Sequence, residues 1–157
     1  MITVEKIGGT SMSQFDEVLK NIILRDPAKV HGRVHVVSAY AGVTNDLLEH
    51  KKTGAPGVYA KFASGDDYGA ALDGLLAKLK ALNHGFAPLG LDLAVADGFL
   101  EKRMRELKAY LDSMRHVLAS GYLRRENVLL AAREMLAAIG EAHSAFNSVA
   151  ILRKKGI

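Results

Sequence analysis

The sequence predicts an α/β fold built on a parallel sheet, and three observations carry that expectation. Two short β-branched runs, Thr3 to Ile7 and Arg33 to Ser38, read as strands. Between them Phe15, Val18, Leu19 and Ile22 recur at helical spacing. Strand, helix, strand in that order is a βαβ unit, which implies parallel pairing and a right-handed crossover. Beyond Asn45 the apolar residues recur only at helical spacing, so helices supply the cover.

The first strand runs into Gly8-Gly9, a tight turn. Thr10, Ser11 and Ser13 follow as candidate helix caps, and Ser13 with Asp16 three residues on resembles a capping box. Asp26-Pro27 ends that helix, because proline excludes the preceding residue from helical backbone. The second strand, with Val34 to Val37 around His35, reads as buried. It closes in Ser38-Ala39-Tyr40-Ala41-Gly42, and Val43-Thr44-Asn45 lead into a new helical pattern at Leu47-Leu48. Residues 50–69 hold Gly54, Pro56, Gly57, Gly65 and Asp66-Asp67 and read as a long loop or insert. Leu72, Leu75, Leu76, Leu79 and Leu82 mark a helix closed by Asn83-His84-Gly85. Leu93 to Leu118 marks a longer one ending at Ser120-Gly121. Val128, Leu129, Ala132, Met135 and Leu136 mark another, interrupted near Gly140, and the pattern resumes from Ser144 to Arg153. Two strands do not make an independently stable sheet, so the chain reads as part of a longer protein.

Composition excludes several chemistries. There is no cysteine, which rules out disulfides, thiolate metal sites and cysteine nucleophiles, and suits the cytoplasm. The net charge of +4 is mild and the basic residues are scattered apart from Arg124-Arg125 and Arg153-Lys154-Lys155 near helix ends, so no nucleic-acid partner is expected. No basic-then-apolar leader opens the chain, and Asp92 and Asp97 interrupt the best candidate for a membrane span, so no membrane partner is expected either. The six histidines form no metal pattern. His31 and His35 have the right separation but flank Gly32 and run into a strand, which denies them a shared helix face. No metal ligands are assigned.

Three stretches remain as candidates for chemistry. Lys6-Ile7-Gly8-Gly9-Thr10-Ser11 lacks the spacing of a Walker loop, yet puts a lysine charge, glycine amides and two hydroxyls at a strand end. The plain alternative is a strand-to-helix turn with an exposed lysine. Ser38, Ala39 and Thr44 supply hydroxyls and amides at the end of the second strand, and the carboxyl ends of parallel strands share one edge, where ligands bind in open α/β sheets. The alternative is a small strand-end residue and a helix cap. Gly140-Glu141 lies inside an apolar helical region, where a glycine is unfavourable by about 1 kcal/mol relative to alanine and a buried glutamate needs a partner. Glu141 therefore reads either as a carboxylate facing a crevice and holding an ammonium, or as an exposed helix-end residue. Asp66-Asp67 reads as a solvated loop rather than a metal-nucleotide site.

Taken together and in this order, these three stretches resemble the aspartate kinases of the amino-acid kinase family. The family's patterns are Lys-Phe-Gly-Gly-Thr-Ser, Val-Val-Ser-Ala-x-x-Gly-Val-Thr-Asn and Ser-x-Gly-Glu. The likeness runs from Val4 to Ile157, and the stretch from His50 to Ala60 is similar to the branch associated with ectoine synthesis. It implies a three-layer parallel-sheet sandwich of the carbamate kinase-like type, here incomplete. Residues 1–157 would be the N-terminal, substrate-side portion of the kinase domain, without the nucleotide-binding half and the regulatory ACT domains. It further implies transfer of a phosphoryl group from ATP, with Mg2+, to the side-chain carboxylate of L-aspartate, feeding lysine, threonine or ectoine synthesis. Lys6 would be catalytic. Lys6, Gly8, Gly9, Thr10 and Ser11 would face the phosphates, while Ser38, Ala39, Thr44 and Glu141 would hold the aspartate.

Two residues depart from those patterns: Ile7 stands for the phenylalanine and Ala138 for the serine. The arginine that grips the substrate carboxylate in the family belongs to its later elements. The chain alone is accordingly expected to be weakly active or inactive. A kinase for another amino acid or a nucleotide is one alternative, and a non-catalytic ligand-binding or assembly module is another. An incomplete sheet exposes apolar surface, so a homo-oligomer is expected.

Overall fold

The computed structural model describes residues 2–157. Strands β1 (Thr3–Ile7) and β2 (Arg33–Val37) pair in parallel, with Thr3 opposite Arg33 and Ile7 opposite Val37. Helices α1 (Gly9–Met12) and α2 (Phe15–Val18) lie between them, and α2 widens into a π-helical turn over Leu19–Ile23. After β2 come α3 (Val43–Leu47), α4 (Val58–Ser64), α5 (Gly69–Phe86), α6 (Leu93–Ser120) and α7 (Arg125–Lys154). Among the described residues this is a mostly helical α/β structure on a two-stranded sheet.

The sheet has two unlike faces because side chains alternate along a strand. Ile7 and Val37 face the core, together with the polar group Glu5, Arg33 and His35. Arg33 donates to Glu5 Oε2 at 2.5 Å and to the carbonyls of Ile22 and Ile23 at 3.0 and 3.1 Å, tying both strands to the π-helical turn. His35 Nδ1 lies 3.3 Å from Glu5 Oε2 without the alignment of a hydrogen bond, and its pKa is lowered by burial first and then by the Arg33 charge. The opposite face carries Val4, Val34 and Val36, which are 67%, 49% and 48% exposed. The expectation of a buried second strand is thus corrected: Val37 packs on the core, but nothing among the described residues covers the face that carries Val34 and Val36.

The helices form the core. α6 packs on both α5 and α7, and α7 also meets α3, α4 and β2. Leu79, Leu100, Leu111, Leu136 and Ile151 are wholly buried, each such side chain adding ~1.5–3 kcal/mol of transfer free energy. Asp92 caps α6 by accepting from Val95 N at 3.2 Å, and Gly121 ends it in left-handed backbone at φ 70°. The Gly121 end is the one the sequence predicts.

Other local expectations are corrected. Residues 50–69 are not all loop, because Val58 and Phe62 anchor α4 in the core. Asn83 does not stop a helix; it is buried inside α5, which continues to Phe86. Ser13 caps no helix start but follows α1, and Thr10 and Ser11 lie within α1 behind Gly8. Gly42, not Thr44, precedes α3. α7 is continuous through Gly140. It is also long and apolar enough to cross a membrane by length and composition, unlike the stretch that Asp92 and Asp97 interrupt. Here its buried face is packed on α3, α4 and α6. Asp67 serves a turn, its Oδ1 accepting from Gly69 N at 2.8 Å.

Candidate functional site

Parallel pairing in register brings the carboxyl ends of both strands to one edge. Ser38 N donates to Ile7 O at 3.1 Å, extending the ladder one residue beyond β2. Gly8 then turns the chain in extended backbone into α1. Gly9 sits directly on the loop that follows β2: a Cβ built there would lie 2.6 Å from Ala39 O. Ser13 joins the two turns, its Oγ donating to Gly9 O at 3.2 Å and accepting from Ala41 N at 2.9 Å. Gly42 adopts φ 81°, a left-handed backbone that favours glycine, and its carbonyl accepts from Asn45 N and Asp46 N as α3 begins.

The third stretch arrives from far along the chain. A Cβ on Gly140 would lie 2.6 Å from Ala39 Cβ and 3.4 Å from Val43 Cγ1. The helical glycine that looked costly by propensity is therefore a contact point, where α7 crosses the β2–α3 loop backbone to side chain. Gly9, Ala39 and Gly140, one from each stretch singled out in the sequence, meet at Ala39.

The candidate residues are distributed around this contact. Lys6 is exposed at the end of β1, on the open face beside Val36, and has no ion pair among the described residues. Thr10 and Ser11 are exposed on α1, whose first-turn amides have no carbonyl of their own helix to bond. Ser38 and Thr44 are half-buried and Ala39 is buried. Glu141 is exposed, so the buried glutamate weighed in the sequence does not exist; it follows Gly140 in mid-helix rather than standing at a helix end.

Beneath the loop lies a polar cluster that sequence reasoning missed. Tyr40 is buried against Phe86 and His143, with ring centroids at 5.3 and 5.2 Å. Asn147 Nδ2 donates toward Tyr40 Oη at 3.1 Å and Asn83 Oδ1 at 2.8 Å. His143 Nε2 lies 2.7 Å from Asn83 Oδ1, and Asn83 Nδ2 donates to Asp97 Oδ1 at 2.8 Å. Burial lowers the His143 pKa from 6.5 to about 4, the Asp97 charge opposing that shift, and burial raises the Tyr40 pKa. The signal was present: Gly140, His143, Ser144, Asn147, Ser148 and Ile151 recur at helical spacing and make a small and polar buried face.

The groups gathered at this edge have the chemistry of an anion site rather than of a metal site. Lys6 and the amides around Gly8 and Gly9 offer positive charge and donors, and a Cβ at Gly8 would meet nothing within 4 Å. Among the described residues no group of three or more His, Asp or Glu side chains could hold a metal ion. A cleft of about 590 Å³ does open on the molecule, but at the amino end of the strands, lined by Glu5, Arg25, Lys29, His31 and Arg33 and away from this contact.

Over 162 aligned positions, covering the whole chain, the sequence is 46% identical to the aspartate kinase Ask_Ect of Stutzerimonas stutzeri (strain A1501). The chain spans about a third of that protein's length, 34%. No protein-family model matches the chain, and no solved structure matches it.

Proposed function

We propose, from the relationship of this entire chain to part of an aspartate kinase, that it is the substrate-side portion of such an enzyme. The observation that carries the reading is the meeting of Gly9, Ala39 and Gly140 at one residue, because it joins the phosphate-type turn, the small-residue loop and the glutamate-bearing helix. The reaction is attack of the ionised side-chain carboxylate of L-aspartate on the terminal phosphorus of ATP, with a new carboxyl O–P bond and ADP leaving. No strong base is needed, so the protein's task is positioning and charge. Lys6 neutralises charge on the transferring group, assisted by amides at Gly8 and Gly9 and hydroxyls at Thr10 and Ser11. Ser38 and Ala39 line the aspartate pocket, and Thr44 with Glu141 holds its ammonium. ATP supplies the phosphoryl group. The described residues offer magnesium no cradle.

The full three-layer sandwich, the nucleotide half and the oligomer belong to the longer protein in this reading. The relative's name and the stretch from His50 to Ala60 favour the ectoine branch for the product, 4-phospho-L-aspartate. The two-stranded sheet with its open face favours a second reading for the chain taken alone, a binding or assembly module without catalysis.

The test mixes Mg-ATP, L-aspartate and hydroxylamine and reads aspartyl hydroxamate. A longer protein containing this chain should give signal that Lys6→Ala reduces at least a hundredfold, while the chain alone gives little. Signal insensitive to Lys6→Ala would remove that residue from catalysis. No signal from either protein would leave the module reading.

A further inference from the structure

We infer that the Tyr40 hydroxyl anchors the candidate ligand loop, residues 38–44, through a directed chain of buried amides, making Tyr40 and Asn147 positioning residues for the site. The direction of the chain follows from one charge. Asp97 can only accept when ionised, so Asn83 turns its NH2 toward Asp97 and its oxygen inward. That oxygen must receive donors, so Asn147 turns its NH2 toward it. The same NH2 is then the donor that reaches Tyr40 Oη at 3.1 Å, with His143 Nε2 a further neighbour at 3.0 Å. Every amide orientation from α6 through α5 and α7 to the loop is thereby set, starting at Asp97.

A cluster like this is a poor way to gain stability. His143 Nδ1 and Asn147 Oδ1 are buried without a partner, and an apolar core of the same shape would avoid that. What the cluster provides is a fixed place for Tyr40. Its neighbour Ala39 receives Gly9 and Gly140, and its other neighbour Ala41 donates to Ser13. Ala39 and Val43 of that loop touch α7 by packing, whereas Tyr40 is joined to the helical bundle by a side-chain hydrogen bond, so losing its hydroxyl bond loosens the loop while the ring still fills the core.

The test is amide hydrogen exchange on the chain with Tyr40→Phe, which removes only the hydroxyl, and separately with Asn147→Ala, which cuts the chain from the α7 side. Exchange of amides 39–44 should quicken about fivefold or more in both variants, as expected from one lost hydrogen bond, while α6 amides are unchanged. Uniform quickening across α5 to α7, or no change in the loop, would overturn the inference, since a packing role moves the bundle and an idle hydroxyl moves nothing. A second arm rests on the proposed function: L-aspartate titrated into the wild-type chain should shift loop signals, with affinity about fivefold lower in Tyr40→Phe. Absence of aspartate binding to the wild type counts against that function, and the exchange data still decide the anchoring.

Discussion

The helical bundle and the sheet are opposite solutions to the same problem. In α5, α6 and α7 each apolar stripe finds another helix, and Leu79, Leu100, Leu111 and Leu136 are sealed from solvent. In β1 and β2 one face is covered and the other presents Val4, Val34 and Val36 to water, and among the described residues both outer strand edges are open. Helices satisfy their own backbone and need cover on one stripe only. Two strands must borrow partners along both edges and, when both faces are apolar, on both sides. The candidate site lies on the seam, where Gly140 of the finished part touches Ala39 of the unfinished one.

The largest expected effect is a contrast between those parts. Leu136→Ala leaves a cavity in the bundle and should lower unfolding stability by about 2–5 kcal/mol. Val36→Ala, at a residue 48% exposed, should change it by about 0.5 kcal/mol or less. Urea unfolding measures both. Equal losses would mean that the valine face is covered in solution and that the contrast is wrong.

Acid should strike the bundle through its polar cluster. The folded chain holds His143 with a pKa lowered to about 4 against 6.5 when exposed, so the unfolded chain binds the proton more readily between those values. Stability is full above about pH 6.5 and falls toward pH 4, by at most ~3 kcal/mol. His35, also lowered, adds loss of the same sign from the sheet. The His143→Gln difference isolates the bundle's share: urea midpoints at pH 7 and 4.5 should lie closer together in that variant than in the wild type, with the His35 share remaining. A slope as steep as wild type would place the acid sensitivity elsewhere.

How much of this was legible in the sequence follows the same divide. The strands, their parallel pairing, and the end of α6 at Gly121 could be read, because alternation, βαβ order and glycine stops are local patterns. Gly140 was misread as an interruption, because the reason for it, the Cβ of Ala39, is a hundred residues away in the chain and invisible to a propensity scale. Asn83 was misread as a helix stop for the same cause: its value lies in Asp97, His143 and Asn147, which only tertiary packing supplies. Of the candidate site, Lys6, Gly9 and Ser38 could be placed at strand ends from the sequence alone. Tyr40 was passed over as a variable position between motif residues, although it is the one buried deepest in that loop apart from Val43.

The seam offers a test by sign. Gly140→Ala gains helix propensity of about 1 kcal/mol but forces Ala39 to shift, and overpacking of this kind is unfavourable by about 1–3 kcal/mol. The net should be a loss of up to about 2 kcal/mol. Gly98→Ala, on α6 with nothing within 4 Å of the added carbon, should instead gain up to ~1 kcal/mol. Thermal unfolding of the two variants should move in opposite directions. Parallel stabilisation would show that α7 can draw back from the loop without consequence, and would weaken the whole account of the contact.

The smallest effect on stability carries the sharpest statement about the sheet. Replacing Val34 and Val36 together by threonine keeps the branched shape that strands favour and adds a hydroxyl on the open face only. Unfolding stability should change by about 0.5 kcal/mol or less per site. Association should change much more, because the open valine face and strand edges are the surfaces on which two copies would meet. Sedimentation of the wild-type chain over rising concentration should show self-association that the double threonine variant reduces. A wild type that stays monomeric at high concentration would mean that two strands, with helices on one side, already satisfy this sheet, and the contrast with the bundle would be one of appearance rather than of energy.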